Sequence, residues 1–150
     1  MLDIMREGRP GAVGLAAVAL LFLAKYSLLV SLTEGTIGAS LIAMAVLSRG
    51  SFVASCALYP YARTTEGLGG KFARKLTGKE IAMAAGTAIA AVSLIFGLKV
   101  FIVLPAVFLV ILIFCGYFYK KLGGITGDTM GALCEIMELV VLALAVVLRG

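Results

Sequence analysis

Residues Val100 to Tyr119 run without one charged side chain. A stretch of that kind matches the ~20 apolar residues, rising about 1.5 Å each, that a helix needs to cross the hydrocarbon of a bilayer. Four further stretches have the same character: Ala12–Leu32, interrupted only by Lys25; Thr36–Tyr61, with Arg49 near its middle; Lys79–Leu98, rich in alanine; and Ala132–Leu148, with Glu135 and Glu138 near its start. Apolar residues follow one another continuously instead of alternating, which predicts helices and argues against a closed barrel. Hydrophobic residues make up 62% and charged ones 14% of the 150 positions, and mean hydropathy is +1.12. Soluble domains are about half apolar and about a quarter charged, and a chain this short cannot hide the excess in one core. The expectation is an all-α polytopic membrane bundle of about five transmembrane helices, a single membrane domain spanning 1–150. A soluble enzyme, a disordered tail and a nucleic-acid binder are excluded.

The connections carry the next layer of information. Gly97-Leu98-Lys99 is so short that the third and fourth spans must form a tight antiparallel pair, with Pro105 expected to kink the fourth. Reading 79–119 as one helix would overshoot the bilayer. Basic residues set the orientation: Arg6, Arg9, Arg63, Lys71, Arg74, Lys75, Lys79, Lys120 and Lys121 fall on one side, and only Lys99 and Arg149 on the other. That bias predicts a cytoplasmic N-terminus and an external C-terminus. Met1–Gly11 carries Asp3, Arg6, Glu7 and Arg9, unlike a secretory signal peptide.

No histidine is present, which removes the usual acid/base group near neutral pH, and Cys56, Cys115 and Cys134 are too scattered for a disulfide framework or a zinc site. The expected topology gathers three polar segments at one face: Met5–Gly11, Tyr61–Lys75 and Lys120–Asp128. Each sets basic residues beside glycine, a combination that grips phosphate through guanidinium forks and close backbone N–H groups. Plain attraction to anionic lipid explains the same residues without any substrate. In Gly123-Gly124-Ile125-Thr126-Gly127-Asp128-Thr129, Asp128 and Thr129 suit the cap or first turn of a helix whose N-terminus favours phosphate. Asp128 could also hold Mg²⁺, whereas a Gly-rich turn with a capping aspartate is the simpler alternative. Phosphoryl transfer stays open, because it asks the protein chiefly for positioning and positive charge.

Charges inside spans are costly, about 2.5–3.5 kcal/mol for a central arginine, and so need partners. The expected pairing is Arg49 with Glu138. Lys25 is read as snorkelling towards the outer leaflet. Asp128 and Glu135 share a helix face but stand about 10 Å apart, too far to share one ion. A small transporter or channel subunit using Arg49 and Glu138 is the competing reading.

The blocks IMREGRPGAVG (4–14), SRGSFVASCALYPYARTTEGLGG (48–70) and KKLGGITGDTMGALCEIMEL (120–139) resemble, in order and spacing, the cobalamin synthase (adenosylcobinamide-GDP ribazoletransferase) family. The resemblance implies an integral inner-membrane enzyme of prokaryotes. Such an enzyme joins adenosylcobinamide-GDP to α-ribazole or its 5′-phosphate, releases GMP and requires Mg²⁺. It implies partners that are corrinoid nucleotide, ribazole and membrane lipid, with no nucleic acid, and it leaves oligomerisation open. Under it, Asp128, Arg63 and Glu135 are candidate catalytic residues, with Asp128 the metal ligand. Arg6, Arg9, Arg49, Tyr61, Glu66, Gly67, Gly124 and Gly127 are candidates for substrate binding. The sequence departs from the family at Glu7-Gly8, where Asp-Ser is common. The family's acidic, glycine-containing stretch would precede the Arg6 motif, so the chain resembles about the C-terminal three-fifths of a member and is expected to be poorly active alone.

Overall fold

The computed structural model describes residues 11–62 and 76–149. Within them lie five α-helices: α1 (Ala12–Val30), α2 (Glu34–Leu58), α3 (Gly78–Phe96), α4 (Val100–Leu122) and α5 (Gly127–Arg149), with a 3₁₀ turn at Gly97–Lys99. The described residues contain no strand, only one isolated bridge between Tyr61 and Ile125. The protein is a helical membrane bundle.

The number of apolar stretches differs slightly from the five expected. Four are long and apolar enough to cross a membrane: Ala12–Val30, Glu34–Leu58, Gly78–Leu122 and Gly127–Leu148. The difference is the 45-residue stretch Gly78–Leu122, in which α3, the 3₁₀ turn and α4 follow one another without a loop. As one straight rod it would measure about 67 Å. It folds back on itself instead: Ile81 and Ala88 of α3 line the same cleft as Leu104 and Ile111 of α4. The reversal falls at Gly97, whose φ of 57° and ψ of −133° suit glycine alone. Helix α4 continues through Pro105.

The core sits where α2, α4 and α5 meet. Helix α4 contributes Val103, Val107, Ile111 and Cys115, a row at four-residue spacing. Helix α5 buries Leu133, Met137, Val141 and Ala145 on one face, and it packs more extensively on α2 than on any other element. The α2 side of that interface is small and polar: Ser40, Ser48, Ser51 and Ser55 are buried beside Ala43. Small residues let helix backbones approach closely in lipid. Three of these serines return their hydroxyl protons to their own helix, Ser40 to Thr36 O (2.8 Å), Ser51 to Ser48 O (2.6 Å) and Ser55 to Phe52 O (2.8 Å).

Helices α1 and α5 run parallel. Helix α1 turns back into α2 within residues 31–33, and the chain leaving α2 meets the start of α5 at Ile125; Ala17, Val18 and Phe22 line one cleft with Ala132 and Ile136, and Lys25 meets Glu135 and Glu138. The start of α1 is therefore level with the start of α5. At the opposite end, Lys99 Nζ donates to the Leu148 carbonyl, fixing the α3–α4 turn beside the C-terminus of α5.

Replacing Gly97 by alanine would force a side chain into a backbone region that costs on the order of 1–3 kcal/mol. The expected result is a lower thermal midpoint in detergent. Unchanged stability in Gly97→Ala would show that the α3–α4 reversal does not depend on this residue.

Candidate functional site

At the end of the bundle where α1 and α5 begin, two chain segments that are far apart in sequence join through their backbones. Ala62 N donates to Ile125 O (2.8 Å) and Ile125 N donates to Pro60 O (2.9 Å), a two-bond parallel bridge. The approach is so close that a Cβ on Gly124 would lie 2.5 Å from Pro60 O and 2.8 Å from Ala62 N. Gly124 is thus required by contact rather than by its dihedral angles. Gly123 beside it takes the left-handed conformation (φ 75°) that ends α4, its N–H bonded to Tyr119 O at 2.9 Å.

Helix α5 starts immediately after this bridge, and Thr126 caps it. Thr129 N donates to Thr126 Oγ1 (3.3 Å), and Thr126 N donates to Thr129 Oγ1 (2.8 Å). This is the reciprocal arrangement of a capping box, with threonine in place of the usual acid. Both threonines are buried. Asp128, expected as cap or first-turn residue, lies in the first turn and is exposed, where the helix dipole favours a negative charge. The Tyr61 hydroxyl leans over the same turn, 3.8 Å from where a Cβ of Gly127 would stand. Tyr61, Gly124, Gly127 and Asp128 are therefore gathered in one place. Arg6, Arg9, Arg63, Glu66 and Gly67 lie outside the described residues.

Glu135 is elsewhere. Together with Glu138 it meets Lys25, which donates to Glu135 Oε2 (2.7 Å) and Glu138 Oε2 (2.6 Å). This corrects two expectations. Glu138 pairs with Lys25 and not with Arg49, and Lys25, the one buried residue of α1, does not snorkel. The cause is the parallel packing of α1 on α5, which brings Lys25 level with both acids. Ser48 Oγ donates to the other oxygen of Glu138 (3.2 Å). Arg49, one position on, is exposed and reaches the Cys134 sulphur instead. With Glu138 held by Lys25 and Ser48, the Arg49–Glu138 pair that a transport reading requires is not formed.

Among the described residues no three His, Cys, Asp or Glu side chains converge as a metal-binding group. Cys115 and Cys134 are buried, Cys56 is half-buried, and all three are free thiols. Lys25, Thr126, Pro60 and Ala62 were not singled out as site residues by sequence. For Thr126 the Thr-x-x-Thr spacing was an available signal. Nothing in the sequence marks the backbone bridge.

Two outcomes follow. Gly124→Ala should break the Pro60–Ala62 bridge and lower stability by about 1–3 kcal/mol, the cost of stranding buried backbone groups; a wild-type thermal midpoint would contradict the contact. Lys25→Met should destabilise by about 3 kcal/mol or more, because two acids lose their counter-charge. Replacing Lys25, Glu135 and Glu138 together by apolar residues should restore most of that loss, and no restoration would show that the trio is not one unit.

The sequence profile described as cobalamin-5-phosphate synthase matches residues 1–146. Similar proteins named adenosylcobinamide-GDP ribazoletransferase include that of Desulforamulus reducens, 36% identical over 138 residues covering 91% of this chain and 55% of the relative. That of Shigella flexneri is 37% identical over 145 residues, covering 95% and 58%. That of Clostridium novyi is 31% identical over 150 residues, covering 100% and 60%. The chain thus spans between 55% and 60% of the length of these three relatives. No solved structure matches it. The profile match covers nearly the whole sequence, and the chain belongs to the cobalamin-5-phosphate synthase family.

Proposed function

We propose that this chain forms the C-terminal part of a membrane transferase that joins adenosylcobinamide-GDP to α-ribazole, or its 5′-phosphate, with release of GMP. The observation that carries the reading is the hydrogen-bonded junction of Pro60–Ala62 with Gly124–Thr126 at the start of α5. It sets the Tyr61 hydroxyl and the Asp128 carboxylate around one helix N-terminus, a place that favours anions. Arg63 follows Ala62 directly and Arg9 lies two residues before Gly11. Both sequence neighbourhoods lead to the end of the bundle where that helix starts.

In the reaction, the ribazole hydroxyl oxygen forms a bond to the phosphorus that bears cobinamide, the bond from that phosphorus to the GMP oxygen breaks, and the hydroxyl proton passes to solvent. Developing negative charge on the diphosphate oxygens is offset by Arg63 and by the basic pair Arg6 and Arg9, and the Tyr61 hydroxyl orients the diphosphate over the α5 turn. Mg²⁺ typically takes one or two protein carboxylates and completes its shell with water and substrate phosphate. Asp128 fits as one such carboxylate, and the ion bound there would supply charge neutralisation at the leaving group. Glu135, engaged with Lys25 about 10 Å further along α5 than Asp128, holds α1 in place rather than touching substrate. The basic segments face the cytoplasm, which puts the reaction at the inner surface of the cytoplasmic membrane.

The test is a chimera in which this chain replaces the matching part of the Desulforamulus reducens relative. The chimera should form the cobalamin product and GMP in a Mg²⁺-dependent manner. Asp128→Asn or Arg63→Gln should lower the rate by about 100-fold or more. A folded but inactive chimera, or full activity in both variants, would overturn the assignment.

A further inference from the structure

The last turn of α4 carries an ammonium turned back towards the membrane. Lys121 folds along its own helix, donating to the Tyr117 hydroxyl (3.2 Å) and lying 5.4 Å from the centre of that ring. Helical side chains lean towards the N-terminus of their helix, and in α4 that direction leads into the apolar span. The charge therefore stands about one turn deeper than its own backbone, at the level of a tyrosine ring. Tyrosine favours the boundary between hydrocarbon and head groups.

Helical spacing sets the face. Leu109, Ile113, Tyr117 and Lys121 follow one another at four-residue intervals, and all four are exposed. The buried row of α4, with Val107, Ile111 and Cys115, is offset from them by two residues, about 200° around the helix. The exposed row thus looks away from the bundle. It runs about 18 Å from Leu109 to Lys121, close to the ~15 Å of half a bilayer's hydrocarbon. Its polar end offers donors only. Lys121 keeps two N–H protons after bonding Tyr117, and the Tyr117 hydroxyl, having accepted, keeps its own proton. Lys120 beside it is exposed, and no salt bridge joins either lysine to another described residue. The sequence holds no acid between Glu80 and Asp128.

We infer that this face of α4 binds an anionic phospholipid, with Lys120, Lys121 and the Tyr117 hydroxyl holding the phosphate and Ile113 and Leu109 lying along an acyl chain. A phosphodiester only accepts hydrogen bonds and so matches a site that only donates them. Anionic head groups attract lysines at the membrane surface, whereas an amine-bearing head group brings a positive charge that competes with them. The apolar row selects a phosphate carried on hydrocarbon over a free one. Lys121 lies just ahead of Gly123 and Gly124 in sequence, so a lipid held there fixes the depth of the α4–α5 junction. Binding is read without turnover and is independent of the transferase reading.

The experiment uses the full chain in neutral detergent and native mass spectrometry. The probe is 1-palmitoyl-2-oleoyl-phosphatidylglycerol, and the matching phosphatidylcholine is the control. The wild type should bind phosphatidylglycerol about tenfold more tightly. Lys120→Gln combined with Lys121→Gln should abolish that preference. Tyr117→Phe, which keeps the ring and removes the hydroxyl, should weaken phosphatidylglycerol binding about threefold. Lys79→Gln, at an exposed lysine in the first turn of α3, should change nothing. An equal loss in Lys79→Gln would show diffuse attraction to charge, and displacement by millimolar inorganic phosphate would assign the site to a soluble anion. Either result, or unchanged binding in the double lysine variant or in Tyr117→Phe, would overturn the inference.

Discussion

Helix α1 is apolar on every side, and its single buried residue is the charged one. Lys25 sits between two carboxylates of α5, and this contact does what an apolar interface cannot. Leucine and phenylalanine on α1 gain little by leaving lipid for protein, since both surroundings are equally apolar. An ammonium and two carboxylates have no comparable freedom, because separating them would leave three charges in hydrocarbon. The ion pairs therefore fix both the partner of α1 and its height along α5. Everything proposed about the polar end of the molecule depends on that height, because it sets the start of α1 level with the start of α5.

The second constraint is the backbone bridge at that end. Gly124 lies against Pro60 and Ala62 so closely that no side chain would fit, and two hydrogen bonds hold the segments in parallel register. The bridge delivers the chain leaving α2 to the cap of α5, while the buried Thr126–Thr129 pair sets the first turn. The resulting surface has exposed Gly127 and Asp128 over a rigid base.

Much of the architecture was legible in the sequence, because apolar run length and charge spacing are direct statements about a bilayer. The short Gly97–Lys99 connection marked the α3–α4 reversal, although the structure makes it a turn within one apolar stretch rather than a loop between two. The grouping of Tyr61 with Gly124, Gly127 and Asp128 could be approached only as shared sidedness; the hydrogen bonds that enforce it involve main-chain atoms and leave no trace in residue type. The intramembrane pairs were misjudged for a specific reason. Height along a helix can be counted, and Arg49 and Glu138 are at similar heights, but which helices are neighbours cannot be counted. With no polar face on α1 to orient it, Lys25 gave no sign that it turns inward. The residue expected to pair with Glu138 reaches a thiol instead, and the residue expected to be solitary holds two partners.

The central claim is that the start of α1, the end of α2 and the start of α5 lie together at one membrane face. Single cysteines at Gly11, Ala62 and Gly127, placed in a chain whose Cys56, Cys115 and Cys134 are replaced by alanine, can be labelled in oriented vesicles with a membrane-impermeant thiol reagent. The account predicts that all three react from the same side, and that a cysteine at Leu98 reacts from the other. Labelling of Ala62→Cys and Gly127→Cys from opposite sides would contradict it, since no bridge and no common phosphate site could then exist.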